Sequence, residues 1–159
     1  MERANLLGEG ASESDSQLKP DPNHLAESSM PAAASVLIID DDPMHLRIYG
    51  WIVEAAGYTA LPAQVMHGGV ELPEGGADLV LLDYNFAGRT TALEVAQLVR
   101  ARQPKAPILL LSDAFFLPDD IAPYVQGFIR KGDPAKLVDK LHEMLVPAHE
   151  KKASEVLNT

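Results

Sequence analysis

Four short apolar runs in this chain end in residues suited to handling a phosphoryl group or a metal ion. Ser35–Ile39 runs into Asp40, Asp41 and Asp42. Leu79–Leu82 ends in Asp83, Ile108–Leu111 ends in Ser112, and Gln126–Arg130 ends in Lys131. Carboxylates gathered in one crevice repel one another, and burial raises the cost. A bound cation removes that cost. Mg²⁺ takes a few carboxylates, keeps several waters and bridges to phosphate. With a lysine and a hydroxyl beside it, such a site can hold the oxygens of a transferring phosphoryl group, where catalysis is mostly positioning and charge neutralisation. A carboxylate can itself be the nucleophile, giving an aspartyl phosphate.

Taken singly, each residue has an ordinary reading. Asp42 before Pro43 is a helix cap, Asp83 after a strand is a turn residue, and Lys131 is a solvated charge. The conjunction is what carries weight: acidic cluster, Asp, hydroxyl and Lys, in that order, each after an apolar run.

The elements between these runs must position them. Ser35–Ile39, Leu79–Leu82 and Ile108–Leu111 read as buried strands, and Tyr58–Leu61 and Gln126–Arg130 as two more. Pro43 opens a helix whose apolar residues Ile48, Tyr49, Ile52, Val53 and Ala56 recur at helical spacing until Gly57. Thr91–Arg102 carries Ala92, Val95, Ala96 and Val99 on one helical face. Asp133 and Pro134 start a last helix with Leu137, Val138, Leu141 and Leu145 inward. The stretch 64–77, rich in Gly and Pro, does not support a full helix. Pro118 and Pro123 leave room for one or two helical turns. Alternating strands and helices predict a parallel sheet covered on both faces, with ligands at the carboxyl ends of its strands.

Composition narrows the function. A net charge of −10 on 159 residues disfavours direct nucleic-acid binding, which depends on Lys and Arg neutralising phosphates. The absence of cysteine rules out disulfides and thiolate metal sites and fits a cytoplasmic setting. No apolar run reaches membrane-spanning length, and the N-terminus does not read as a signal peptide. Residues 1–33, with six acids and two bases, read as a disordered tail, 34–146 as one domain, and 147–159 as a second tail after Pro147.

In residues 35–146 the sequence resembles the receiver domains of response regulators. Val-Leu-Ile-Ile-Asp-Asp-Asp-Pro at 36–43, Leu-Val-Leu-Leu-Asp at 79–83, Pro-Ile-Leu-Leu-Leu-Ser at 107–112 and Gly-Phe-Ile-Arg-Lys at 127–131 match the family's four motifs in order. The resemblance implies a flavodoxin-like, doubly wound, five-stranded parallel sheet with reduced second and fourth helices. It implies that Asp83 is the phosphoacceptor and also a metal ligand, and that Asp40 and Asp41 hold Mg²⁺ directly or through water. Asn85 supplies a backbone carbonyl to the metal. Ser112 and Lys131 attend the phosphoryl group, and Phe128 is the switch aromatic or an ordinary core residue. The implied partners are a sensor histidine kinase or phosphotransfer protein and a downstream protein, with no turnover enzymology. Four positions depart from the family pattern. Ala87 stands for the usual Pro, Thr91 for Gly, Asp113 for a small residue and Gly132 for Pro. Phe115 and Phe116 either seal the core, the favoured reading, or form an exposed contact. The histidines, on separate elements or in the tails, are expected to make no metal site, and Trp51 to pack or lie at the surface.

Two other functions compete. A degenerate receiver would use the same fold as an unphosphorylated binding module, as the four departures suggest. A haloacid-dehalogenase-like phosphohydrolase would want a second Asp two residues after the nucleophile, where Asn85 stands. With only 13 residues after 146, output is expected through protein contact or phosphate relay.

Overall fold

The computed structural model describes residues 32–156, with side chains for residues 32–146. The expected N-terminal tail lies almost entirely outside the described residues. The elements in chain order are β1 (Ser35–Asp40), α1 (Pro43–Ala55), β2 (Thr59–Met66), β3 (Gly69–Val70), β4 (Leu79–Asp83), α2 (Ala92–Arg102), β5 (Ile108–Ser112), a 3₁₀ turn (Ala122–Tyr124), β6 (Gly127–Arg130) and α3 (Pro134–Val156).

One six-stranded sheet runs in the order β3-β2-β1-β4-β5-β6. Five strands are parallel, and β3 is a short antiparallel edge. The central strands are apolar throughout because both of their faces are covered. On one face Val36, Ile38, Leu79, Leu81, Leu109 and Leu111 meet Leu46 and Val53 of α1 and Leu137, Leu141 and Leu145 of α3. On the other face Leu37, Ile39, Val80, Leu82, Ile108 and Leu110 meet Ala92, Val95, Ala96 and Val99 of α2. The predicted inward residues of α2 are thus all buried, and so are three of the four on α3, Val138 being partly exposed.

Local chemistry explains the helix ends. The Asp42 carboxylate accepts the Met44 N–H at 2.7 Å and caps α1 ahead of Pro43. Gly57, at φ 92°, ends that helix in a conformation glycine adopts without strain. Thr91 and Glu94 form a reciprocal capping box on α2.

Three expectations need correction. Between β2 and β4 there is no reduced helix among the described residues. Instead β2 continues to Met66 and turns through His67 and Gly68 into β3. Pro62 is tolerated inside β2 because β3 pairs only with Val65 and Met66, so the strand has an open side there. Phe115 and Phe116 do not seal the core, being 73% and 84% exposed. Ile121, fully buried, fills that place, while the Arg130 guanidinium stacks 4.1 Å above the Phe115 ring. The helix at the C-terminal end does not stop at Pro147 but runs on to Val156. Ala, Glu and Lys, all strong helix formers, follow the proline. Trp51 lies at the surface, on α1, beneath Arg47.

Where a fourth helix was expected to be short, the 3₁₀ turn is anchored by Arg100 from the last turn of α2. Its guanidinium donates to the carbonyl of Tyr124 at 2.7 Å, to the carbonyl of Ala106 and to Gln126 Oε1. Gln126 Oε1 in turn accepts the Ile108 N–H at 2.8 Å, which ties the turn to the sheet.

Candidate phosphoacceptor and metal site

Among the described residues only three polar side chains are buried: Asp40 at 1%, Asp83 at 2% and Ser112 at 0% exposure. All three are the last residues of neighbouring parallel strands, β1, β4 and β5. Strand register brings this about. Ile39 lies beside Leu82, Asp83 beside Leu111 and Ser112 beside Arg130, so the strands end nearly level. Lys131, one residue past β6, joins them, its N–H donating to the Ser112 carbonyl at 2.9 Å.

The Lys131 ammonium lies 2.8 Å from Asp83 Oδ1. The same oxygen accepts the Asn85 N–H at 3.3 Å, while Oδ2 accepts no hydrogen bond among the described residues. Burial works against the charge on Lys131. The hydrogen bond to Asp83 and the charges of Asp83 and Asp40 outweigh it, and the lysine pKa stands above its ordinary value. Ser112 Oγ accepts the Ala114 N–H at 3.1 Å. Asp113 is exposed, and Ala114, which makes that bond, is half-buried. Tyr49 of α1 belongs to the same surroundings. Burial raises its pKa above 10, with Lys131 opposing and the nearby carboxylates reinforcing.

Asp40 is the most perturbed group. Burial pushes its pKa up to about 6, and the charge of Asp83 adds to this; the Asp42 N–H, His45 and Lys131 oppose it. Its Oδ1 accepts the Asp42 N–H at 2.8 Å. Its Oδ2 is buried with no hydrogen-bond partner. A carboxylate oxygen left buried and unsatisfied beside a second carboxylate is what a cation ligand looks like before the cation binds. The residues here therefore fit a divalent metal.

The Asp41 carboxylate is engaged by the loop after β4, accepting the Ala87 N–H at 2.7 Å, and the Asp41 carbonyl accepts from Gln64 Nε2 at 3.1 Å. A proline at 87 would have no N–H to give. Among the described residues, Asp40, Asp83 and His45 each offer a ligand atom within 4.8 Å of the others. His45 thus stands in a group that could hold a cation, a placement not expected of the histidines. His45 occupies the first turn of α1, two residues past Pro43, and a side chain there leans back toward the helix start. The Asp42-Pro43 cap in the sequence was the signal that could have located it. Asn85 is exposed at the rim, and Phe128 is half-buried, packed on the α2-side core. Gly132 adopts φ 90°, which proline cannot, and leads directly into the Asp133 cap of α3.

No family model and no curated protein sequence matches the chain. Solved structures do. The response regulator TrrA of Thermotoga maritima, in complex with Mg²⁺-BeF, superposes with a TM-score of 0.58 and 21% identity, over 70% of this chain and 99% of that one. A CheY-like response regulator receiver domain protein of Methanospirillum hungatei gives a TM-score of 0.61 at 19% identity, over 76% and 99%. A CheY-like receiver domain of Methylobacillus flagellatus gives 0.57 at 17%, over 71% and 99%. At such identities the likeness establishes the fold: this chain has the CheY-like, flavodoxin-type architecture of receiver domains, with a short edge hairpin where a helix was expected.

Proposed function

We propose that the chain is a receiver that accepts a phosphoryl group on Asp83 from a sensor histidine kinase or a phosphotransfer protein, and passes the signal on by protein contact. The observation that carries this reading is the Lys131–Asp83 contact of 2.8 Å inside a pocket whose other buried polar residues are Asp40 and Ser112. Lys131 holds Oδ1, which leaves Oδ2 to react. That oxygen bonds to phosphorus as the P–N bond of a phosphoimidazole breaks, and the bonding pair leaves with the imidazole nitrogen. Lys131, the Ser112 hydroxyl and the backbone N–H groups at the strand ends then face the new phosphoryl oxygens. Mg²⁺, when bound, neutralises charge on those oxygens. Asp40 and Asp83 would hold it directly, and Asp41 and the Asn85 carbonyl through water or a small loop shift. Ser112 and Phe128 lie on adjacent strands, β5 and β6, and would couple the phosphoryl group to the α2-side surface.

Acetyl phosphate with Mg²⁺ should give a retarded band on a phosphate-affinity gel, lost in Asp83→Asn. If the parent chain gives no such band, and beryllofluoride leaves Tyr and Trp fluorescence unchanged, the reading fails. The fold would then serve as an unphosphorylated binding module, with the diverted Asp41 as the observation favouring it. Among the described residues no helix is long and apolar enough to cross a membrane.

A further inference from the structure

Two orphaned atoms face each other across the metal pocket. His45 Nδ1 and Asp40 Oδ2 are 3.2 Å apart, both are buried, and neither has a hydrogen-bond partner. Proximity without a hydrogen bond means that the ring N–H direction does not point at the oxygen. Ligands in adjacent positions on one cation behave in this way. At metal–ligand lengths of about 2.1 Å, neighbouring ligand atoms stand roughly 3.0 to 3.4 Å apart, from octahedral to tetrahedral geometry. Asp83 supplies a third atom within 4.8 Å. On the far side of the ring, Asp42 Oδ2 lies 3.9 Å from Nε2, where the ring proton sits when Nδ1 carries a metal. Meanwhile the Asp41 carboxylate is held away on the Ala87 N–H.

We propose that His45 replaces Asp41 as a direct ligand, making a site of two carboxylates and one imidazole that selects a first-row transition ion of the Mn²⁺ to Zn²⁺ series over Mg²⁺. Imidazole nitrogen suits these borderline ions, while Mg²⁺ takes oxygen and dehydrates reluctantly. The substitution also lowers the negative charge of the ligand set by one. It thereby weakens the purely electrostatic hold on which Mg²⁺ depends. This inference rests on the phosphoacceptor reading of the same pocket and puts a first-row transition ion there in place of Mg²⁺.

Calorimetric titration of the full chain with Ni²⁺ and with Mg²⁺ tests it, using wild type, His45→Ala and His45→Gln. Any oxygen-rich site binds Ni²⁺ more tightly than Mg²⁺, so the dependence on His45 is the decisive quantity. Both variants should weaken Ni²⁺ by about tenfold or more while leaving Mg²⁺ nearly unchanged. With Co²⁺ bound, wild type should show an exchangeable, hyperfine-shifted imidazole proton resonance that both variants lack. A loss of Ni²⁺ affinity no larger than the loss of Mg²⁺ affinity overturns the inference. The result is separable from the acetyl phosphate assay. Phosphorylation without the His45-dependent preference retains the phosphoacceptor and discards the imidazole ligand. The preference without phosphorylation does the reverse.

Discussion

The backbone N–H of Ala87 donates to the Asp41 carboxylate at 2.7 Å, across 46 residues of sequence. That bond couples the loop after β4 to the acidic run after β1 and turns the Asp41 carboxylate toward that loop. Replacing Ala87 by Pro removes the donor. Ala87→Pro should therefore free Asp41, raise Mg²⁺ affinity several-fold and reduce the contribution of His45 to Ni²⁺ binding. Ala87→Gly, which keeps the N–H, should leave both affinities near wild type. The exposed position limits the accompanying loss of stability to about 1 kcal/mol. Metal titrations and urea unfolding of the two variants check this.

Lys131 is 12% exposed and Asp83 2%, so their contact is shielded from water. Removing one member of such a pair leaves an uncompensated buried charge, at a cost of about 3 kcal/mol. Lys131→Met should lose about that much stability without metal, and part of the loss should return with saturating divalent ion. Phosphorylation by acetyl phosphate should slow by about a hundredfold, as for loss of one positioned charge at an acyl or phosphoryl site.

The Asp40 carboxyl, raised to about 6 in the folded chain by burial and then by Asp83, gives a defined pH signature. The folded state holds this proton more tightly than the unfolded chain does. The contribution to stability is therefore favourable at low pH and is lost as pH rises from about 4 to about 6, on the order of 3 kcal/mol in total. A divalent ion needs the ionised form and expels the proton. Mg²⁺ affinity should fall steeply below about pH 6, with release of about one proton from Asp40 on binding at pH 5. The Asp42 N–H, the Asp83 carboxylate, His45 and Lys131 face the same carboxyl. Titrations in two buffers of different ionisation enthalpy measure the proton release.

The Arg100 guanidinium donates to three acceptors on the loop and turn beside it: the Tyr124 and Ala106 carbonyls and Gln126 Oε1. Arg100→Ala should cost about 2 kcal/mol and speed amide exchange at Tyr124 and Ile108. Arg100→Lys should recover less than half, because an ammonium cannot match the guanidinium fork. Phosphoryl acceptance on Asp83 should persist at low temperature in both, since Arg100 lies outside the pocket.

The strand-end residues Asp40, Asp83, Ser112 and Lys131 were legible in the sequence because each is local. Each polar residue closes an apolar run, and parallel strands carry all such ends to one edge. The caps at Asp42, Thr91 and Asp133 were legible or nearly so for the same reason, as their partners lie within three residues. Long-range partners were not. Nothing near Asp41 in sequence announces Ala87, nothing near Arg100 announces Tyr124, and nothing in the spacing of Asp40 and His45 announces Asp83. The β2–β3 hairpin was hidden because its strand contains Pro62 and its far strand is only Gly69–Val70. Composition and strand order by themselves determined the fold class and the edge at which chemistry occurs. Only the tertiary structure decided that Asp40, Asp83 and His45 lie within reach of one another while Asp41 pairs with Ala87, because such geometry depends on atoms brought together across the sheet, and sequence separation says little about that distance.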